Sequence, residues 1–333
     1  MRVPKWVPVA LVGLEACETL DPSVPGNLVP LTVAEDPTLP AIDMNGSRFH
    51  VQTFGTPANP VIVFLHGGPG GDYRSLLAMG ERHNGYSLVD EYFLVYWDQR
   101  SSGLSMRHDK DVLTLDVYTA DLHGLVERYS PGRPVFLIGE SWGGMYATNY
   151  INAHPERVRG AVLIEPGPLD GATMERLEDD MYDLDLGSEW LSDWAWNSQF
   201  LSPDDHARMD YERMLGARNG QPRFHLSTEN PEPQWRMGAA ASRYLNEDGQ
   251  DGNGKFVYDF TTNLAAFTTP VLFIAGSWSE VLGPSLQVDQ VLRYPTASLQ
   301  IVDGAGHDVA WVKTAEVLTH IRAYLDARKG DNQ

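Results

Sequence analysis

The chain has 333 residues, of which 42% are hydrophobic and 10% aromatic, so it is long and apolar enough to bury a large core. This composition excludes general disorder. The formal net charge is −20, from 25 basic and 45 acidic residues, and no basic run could neutralise a phosphate backbone. We therefore expect no nucleic-acid partner, and the acidity indicates either a solubility device or attraction of a cationic substrate.

The amino terminus has the pattern of a short export signal. Arg2 and Lys5 precede an apolar run over residues 6–14, which is too short to span a bilayer. Leu14-Glu15-Ala16-Cys17 then resembles a bacterial lipoprotein signal, which implies a lipidated Cys17 and attachment to the cell envelope; a cytoplasmic protein is the alternative. Because Cys17 is the sole cysteine, an intramolecular disulfide and a cysteine-rich zinc site are excluded.

The pattern after the signal-like segment predicts an open α/β sheet. Residues 18–40 are rich in proline and predict a tether or a wrap over the domain, so the globular part begins near residue 41. Asn45-Gly46 then predicts a two-residue hairpin turn. Short unbroken apolar runs alternate with helical patterns, as in parallel strands that are buried on both faces. These runs are residues 61–65, 92–96, 135–138, 161–164, 271–274 and 298–302.

The alternation stops over residues 167–267, an acidic and Trp-rich segment of helical character. We interpret this segment as a helical lid, inserted between two strands of a core made of residues 41–166 and 268–333. It would cover the carboxyl ends of the strands, where open α/β folds bind their ligands. The lid contains four tryptophans, which are more typical of a lid core than of a substrate platform: Trp190, Trp194, Trp196 and Trp235.

A serine motif follows the third parallel run. Gly139-Glu140-Ser141-Trp142-Gly143 has the G-x-S-x-G spacing, between an apolar strand pattern and a helical pattern. Such a serine lies on a sharp, strained turn, and the two glycines let strand and helix pass closely. An ordinary turn or N-cap serine is the alternative interpretation, because the isolated pattern also occurs by chance.

The glycine-rich loop after the first parallel run lacks the spacing of a nucleotide-binding loop. Its backbone N–H groups instead suit an oxyanion, which needs one donor just after the nucleophile and one from this loop. We therefore assign the oxyanion hole to Gly68 and Trp142, with Gly67 as the nearest competitor of Gly68.

Three motifs together resemble the prolyl aminopeptidase (proline iminopeptidase) branch of the α/β-hydrolase superfamily. They are His66-Gly67-Gly68-Pro69-Gly70, Trp97-Asp98-Gln99-Arg100-Ser101-Ser102-Gly103 and Gly139-Glu140-Ser141-Trp142-Gly143-Gly144. The resemblance implies an α/β-hydrolase fold, a Ser141 nucleophile and a His307 base in the loop after the last strand. Two positions depart from the branch: Ser101 replaces the glycine that usually follows Asp-Gln-Arg, and Glu140 occupies a position that usually holds a small residue.

The carboxylate that orients His307 has two candidates. The superfamily usually places an aspartate three residues beyond a glycine after the penultimate strand, but here that position, after Gly276, is a serine and Glu280 is one residue late. In some relatives, including certain dehalogenases and lactone hydrolases, a glutamate after the strand that follows the serine motif has this role, and Glu165 occupies that position. We favour Glu165, keep Glu280 as the alternative, and interpret Asp98 and Arg100 as an internal ion pair.

These residues predict a two-step acyl transfer, for which no metal or cofactor is needed. The resemblance favours an aminopeptidase that releases an N-terminal residue, perhaps proline, from a short peptide. A carboxylester or lactone hydrolase is the alternative, and a non-catalytic binding protein is a third. In the aminopeptidase branch, lid carboxylates bind the substrate's amino group, and this lid offers several: Glu178, Asp179, Asp180, Asp183, Asp185 and Glu189.

Overall fold

The computed structural model describes residues 29–181, 204–218 and 232–329. Several positions discussed above lie outside these ranges, namely Cys17, Asp183, Asp185, Glu189, Trp190, Trp194 and Trp196. The side chains of Glu178, Asp179 and Asp180 are also outside what the structure describes.

The described residues form one eight-stranded sheet, with the strand order β1-β2-β4-β3-β5-β6-β7-β8. The strands β1 and β2 pair antiparallel, as do β2 and β4, and all the other pairs are parallel. The predicted α/β-hydrolase architecture with a mostly parallel sheet is confirmed. The strands are β1 (Ala41–Met44), β2 (Ser47–Phe54), β3 (Val61–Leu65), β4 (Phe93–Trp97), β5 (Val135–Glu140), β6 (Val158–Ile164), β7 (Val271–Gly276) and β8 (Ala297–Val302).

Helices cover both faces of the sheet. One apolar cluster joins alternate residues of β3 and β5 to α1 and α2, and the other joins the remaining residues to α8. Because β3, β4 and β5 are buried on both faces, β3 and β4 are apolar throughout and β5 is apolar up to Ile138. The α-helices are α1 (Leu115–Tyr129), α2 (Trp142–Ala153), α3 (Gly171–Met181), α4 (Asp205–Arg218), α5 (Ala239–Asp248), α6 (Pro284–Val291), α7 (Val309–Val312) and α8 (Thr314–Asp326). Short 3₁₀ helices span Ser75–Gly80, Leu88–Asp90, Lys110–Val112, Pro155–Arg157 and Leu264–Ala266.

The first hairpin follows from its turn residues. Asn45 and Gly46 have φ angles of 48° and 70°, which the two-residue turn between Met44 and Ser47 requires. The preceding segment packs against the domain: the Val33 N–H donates to the Leu104 carbonyl over 2.8 Å, and Arg236 Nη1 donates to the Pro30 carbonyl over 3.0 Å. The described part of the Pro-rich segment is thus a wrap.

Helices α3, α4 and α5 lie between β6 and β7 in the chain, although these two strands are neighbours in the sheet. The chain returns from this insertion against the loop after β3. Asp72 accepts the N–H groups of Trp235 and Arg236 over 2.7 and 3.1 Å, and the Gly238 N–H donates to the Gly70 carbonyl over 2.6 Å. That the insertion acts as a lid stays a prediction.

Asp210 of α4 makes a second set of contacts between the insertion and the core. This buried carboxylate pairs with Arg107 over 2.9 Å and with Arg236 over 2.7 Å, and it also accepts the Ala239 N–H. Within the described ranges, no helix is long and apolar enough to cross a membrane.

A substitution at Gly143 tests whether α2 must pass close to the end of β3. A Cβ atom at this position would lie 1.9 Å from the Leu65 carbonyl oxygen and 2.8 Å from that of His66, so one of the two elements must move. We expect Gly143→Ala to lower the free energy of unfolding by about 1–3 kcal/mol, as overpacking does. Urea denaturation measures the change.

Gly252→Ala is the matched control, because nothing lies within 4 Å of its Cβ position. We expect this control to change the free energy of unfolding by less than about 1 kcal/mol. Equal losses in the two variants would show that the passage of α2 over β3 tolerates a side chain.

Candidate active site

Ser141 lies on a strained turn between β5 and α2. Its φ and ψ angles are 53° and −120°, and its side chain makes no capping hydrogen bond to the helix. A Cβ atom at Gly139 would lie 2.3 Å from the Gly143 carbonyl oxygen, so the turn requires glycine there. The serine is therefore not an ordinary N-cap, and the strain serves to hold it at the carboxyl end of the sheet.

His307 lies beside Glu165. The loop after β8 brings the His307 Nδ1 atom to 2.7 Å from Glu165 Oε2. A carboxylate can accept but not donate, so Nδ1 carries the proton and Nε2 of the neutral ring is left as an acceptor. This is the tautomer that a general base needs for taking a proton from a serine hydroxyl.

Glu165 is fully buried and satisfied by three groups. Besides His307, it accepts the Gly276 N–H over 2.7 Å and the Ser279 hydroxyl over 2.9 Å. Ser279 is the residue at the position where the superfamily usually has its aspartate, and here it supports the glutamate instead. The structure thus brings Glu165 to His307, whereas Glu280 is exposed.

The ends of three parallel strands create this arrangement. Glu165 follows β6 with a φ angle of 41°, which turns its side chain out of the strand pattern. At the end of β7, a Cβ atom on Gly276 would lie 2.4 and 2.5 Å from the carbonyl oxygens of Ala305 and Gly306. The absence of that side chain lets the histidine loop run close to β7.

Burial alone would lower the pKa of His307, because it disfavours the charged ring. The hydrogen bond to Glu165 and the negative charges of Glu165, Glu232 and Asp308 outweigh this effect, so the pKa is raised above 6.5. The site is therefore built to stabilise an imidazolium, the species that forms when the histidine takes a proton.

The candidate oxyanion donors lie at the same place. Trp142 is the first residue of α2, so its N–H group has no acceptor inside the helix. In the glycine loop, a Cβ atom at Gly67 would lie 3.3 Å from Ser141 Cβ and 3.8 Å from Ser141 Oγ. Gly67 therefore packs against the serine, and Gly68, with a φ angle of 127°, follows it in the loop.

Gln99 holds the three sequence motifs together. Its N–H donates to His66 Nε2 and its side-chain amide donates to the His66 carbonyl, both over 3.0 Å. Its side-chain oxygen accepts the Trp142 indole N–H, also over 3.0 Å. Burial lowers the pKa of His66, and a neutral ring is the form that can accept the Gln99 N–H.

The predicted ion pair between Asp98 and Arg100 is wrong. Asp98 Oδ2 lies 2.8 Å from His50 Nδ1, whereas Arg100 Nε donates to Asp121 of α1 over 2.7 Å. The two side chains thus reach different elements, Asp98 the strand β2 and Arg100 the helix α1. The Asp98–His50 and Arg100–Asp121 pairs are both buried, and each holds the loop after β4 in place.

Three acidic residues near the serine were not recognised as a group in the sequence. Glu140 is 6% exposed, and the charges of Glu232, Glu165 and Asp308 act on it together with burial to raise its pKa well above 4.5. Glu232 belongs to the return of the insertion, and Asp308 follows His307. The available signals were the departure at Glu140 and the His-Asp pair in the last loop.

Trp235 is the one described tryptophan of the four predicted in the lid. Its ring lies 5.2 Å from that of His50 and 5.0 Å from that of Tyr73, so it packs between the insertion and the core. Among the described residues, no group of three or more His, Cys, Asp or Glu side chains could hold a metal ion.

Fold and site together define a hydrolase of the α/β class. Residues 60–314 match the family model described as the alpha/beta hydrolase fold, and the chain belongs to this family.

Relatives within the family have different names. Epoxide hydrolase A of Mycobacterium tuberculosis is 26% identical over 87% of this chain and 97% of its own length. A proline iminopeptidase of Saccharolobus solfataricus is 26% identical over 81% of this chain and 86% of its own length. Among solved structures, an esterase from Exiguobacterium antarcticum superposes with a TM-score of 0.63, at 16% identity over 87% of this chain and all of that one.

The role of Glu165 can be tested against Glu280. Glu165→Gln removes the charge that orients His307 and stabilises its protonated ring, so we expect kcat to fall roughly 10³–10⁴-fold. Glu280→Gln should leave kcat within about threefold of wild type, because Glu280 is exposed and the carboxylate bonded to His307 Nδ1 is that of Glu165. The rate at which a fluorophosphonate labels Ser141 gives a second measure, and small equal losses in both variants would contradict the assignment.

The charge of Glu232 should appear in the pH profile. The neutral ring of His307 is the base, so kcat/KM falls as pH drops through the pKa of His307, which lies above 6.5 in wild type. Glu232→Gln removes a charge that raises this pKa, so the acidic limb should move to lower pH by about half a unit or more. Glu316→Gln, an exposed change on α8, should leave the limb in place. An unmoved limb in Glu232→Gln would contradict the electrostatic role of Glu232.

Proposed function

We propose that this protein is a serine hydrolase that works through an acyl-enzyme. His307 takes the proton of Ser141, and the serine oxygen attacks the substrate carbonyl. The N–H groups of Trp142 and of Gly68 or Gly67 stabilise the oxyanion. His307 then protonates the leaving group, and water releases the acyl group from Ser141. The observation that carries this proposal is the 2.7 Å hydrogen bond between His307 and Glu165 beside the strained Ser141.

We further propose that the substrate has a free amino group next to the carbonyl, as in an aminopeptidase that releases an N-terminal residue such as proline. Three observations support this specificity: the motif resemblance, the relatives named proline iminopeptidase and the negative charge around the serine. Glu232 contributes to that charge from the predicted lid, and its effect reaches His307 and Glu140. A carboxylate in this position would attract the ammonium group of an aminoacyl substrate.

A carboxylester or lactone hydrolase is the second candidate. Glu165 follows β6, which is the acid position that the sequence linked to certain dehalogenases and lactone hydrolases, and an esterase shares the fold. Loss of catalysis, as in a binding protein, is disfavoured because Glu165 is satisfied by three groups that orient it on His307. Export and attachment through Cys17 stay a prediction of the sequence.

A matched substrate panel tests the proposal. We expect wild type to hydrolyse aminoacyl arylamides, with the prolyl compound among the best, and to show lower kcat/KM for the N-acetylated forms of the same compounds. Ser141→Ala is the blank and should abolish both turnover and fluorophosphonate labelling.

Two outcomes would contradict parts of the proposal. Turnover restricted to short-chain aryl esters or lactones would show that the enzyme is an esterase or lactonase. Absence of labelling in the folded wild-type protein would show that Ser141 is not an activated nucleophile.

A further inference from the structure

We propose that Glu140, at the end of β5, is a substrate-binding residue whose carboxylate and that of Glu232 together bind the cationic amino group of the substrate. This inference rests on the proposed aminopeptidase function and deepens it. It assigns amine recognition in part to the core of the fold, at the residue directly before the nucleophile, rather than to the insertion alone.

The position of Glu140 suits this role. Side chains alternate along a strand, so Glu140 lies on the same face of β5 as Phe136 and Ile138, the face covered by α7 and α8. The histidine loop leads into α7 on that face. In an aminoacyl substrate the amino nitrogen is two bonds from the carbonyl carbon that Ser141 attacks, so a neighbouring residue of Ser141 is well placed to reach it.

Glu140 differs in its contacts from five other buried acids. It is 6% exposed, and among the described residues no hydrogen bond or ion pair is found at its carboxyl group. The five other acids each accept several hydrogen bonds or pair with a cation: Asp72, Asp98, Asp121, Glu165 and Asp210. Burial removes most of the water from the Glu140 carboxyl group, and a bound ammonium would satisfy it.

The charges that face Glu140 have one sign. Glu232, Glu165 and Asp308 are all acidic, and the ring of His307 is hydrogen-bonded to Glu165. Burial and these charges raise the pKa of Glu140 well above its ordinary value of 4.5. An ammonium that binds there favours the carboxylate, and the proton leaves to solvent; affinity for a cation therefore increases with pH until Glu140 ionises unaided.

The same charges make Glu140 unfavourable for folding. The group has a folded-state pKa above its ordinary value of 4.5, so the folded protein holds a proton that the unfolded chain loses above that pH. Stability therefore decreases as pH rises from 4.5 towards the folded-state pKa. A residue that costs stability and supports no neighbour is better explained by substrate binding than by packing.

Glu140→Gln tests the inference by replacing the carboxyl group with a neutral one of the same shape. Pyrrolidinium chloride, compared with sodium chloride at equal ionic strength, should raise the Tm of wild type, and more at pH 8 than at pH 6. The increase should be lost in Glu140→Gln and kept in Glu316→Gln, which removes an exposed charge. A wild-type protein without the increase, or a Glu140→Gln variant that keeps it, overturns the proposal.

Turnover provides an independent measurement. For prolyl arylamide, kcat/KM should fall about 30-fold or more in Glu140→Gln, and the ratio of kcat/KM for prolyl arylamide to kcat/KM for phenyl acetate should fall about tenfold or more relative to wild type. If wild type hydrolyses esters but no aminoacyl arylamide, the aminopeptidase function is wrong, and the pyrrolidinium measurement still decides the role of Glu140.

The stability of the variant separates binding from packing. Glu140→Gln should have a higher Tm than wild type at pH 8, because it lacks the unfavourable charge, and the difference should shrink at pH 5. A variant that is less stable than wild type at pH 8 would show that Glu140 supports the fold and would contradict the proposal.

Discussion

The site depends on one hydrogen bond, from His307 Nδ1 to Glu165 Oε2. Three neighbouring strands must end in register to form it: β6 supplies Glu165, β7 supplies the Gly276 N–H that fixes its carboxylate, and the loop after β8 supplies His307. Parallel pairing sets that register, because it brings the carboxyl ends of all three strands to one edge. The strand register that builds the sheet therefore also sets the positions of Glu165 and His307.

The sheet could be predicted from sequence because its central strands are buried on both faces, so burial alone produces unbroken apolar runs. Asn45-Gly46 likewise identified its hairpin through the positive φ angles that the turn demands. The carboxylate that orients His307 was harder to predict. The direction of the Glu165 side chain depends on a positive φ angle, and no sequence pattern indicates such an angle at a glutamate. The predicted Asp98–Arg100 pairing failed because each residue has a partner that is distant in the sequence, His50 for Asp98 and Asp121 for Arg100.

The acidic surroundings of Ser141 depend on contacts between distant parts of the chain. Glu140 is next to the nucleophile, Asp308 is next to the histidine, and Glu232 comes from the end of the insertion. Their mutual effect is electrostatic and follows from packing, not from spacing. Glu165 accepts three hydrogen bonds from the protein and orients a ring, whereas none of the described residues donates a hydrogen bond to the carboxyl group of Glu140.

The anchor at Asp72 has a mechanical consequence. Asp72 lies in the loop that carries Gly67 and Gly68, and it holds the backbone of Trp235 and Arg236, while Gly238 bonds to Gly70 of the same loop. Burial and the charge of Asp98 raise the pKa of Asp72 to about 7, so the strength of this attachment changes near neutral pH. Any displacement of residues 235–238 would therefore also displace the glycine-rich loop beside Ser141, so the position of this loop is coupled to that of the end of the insertion.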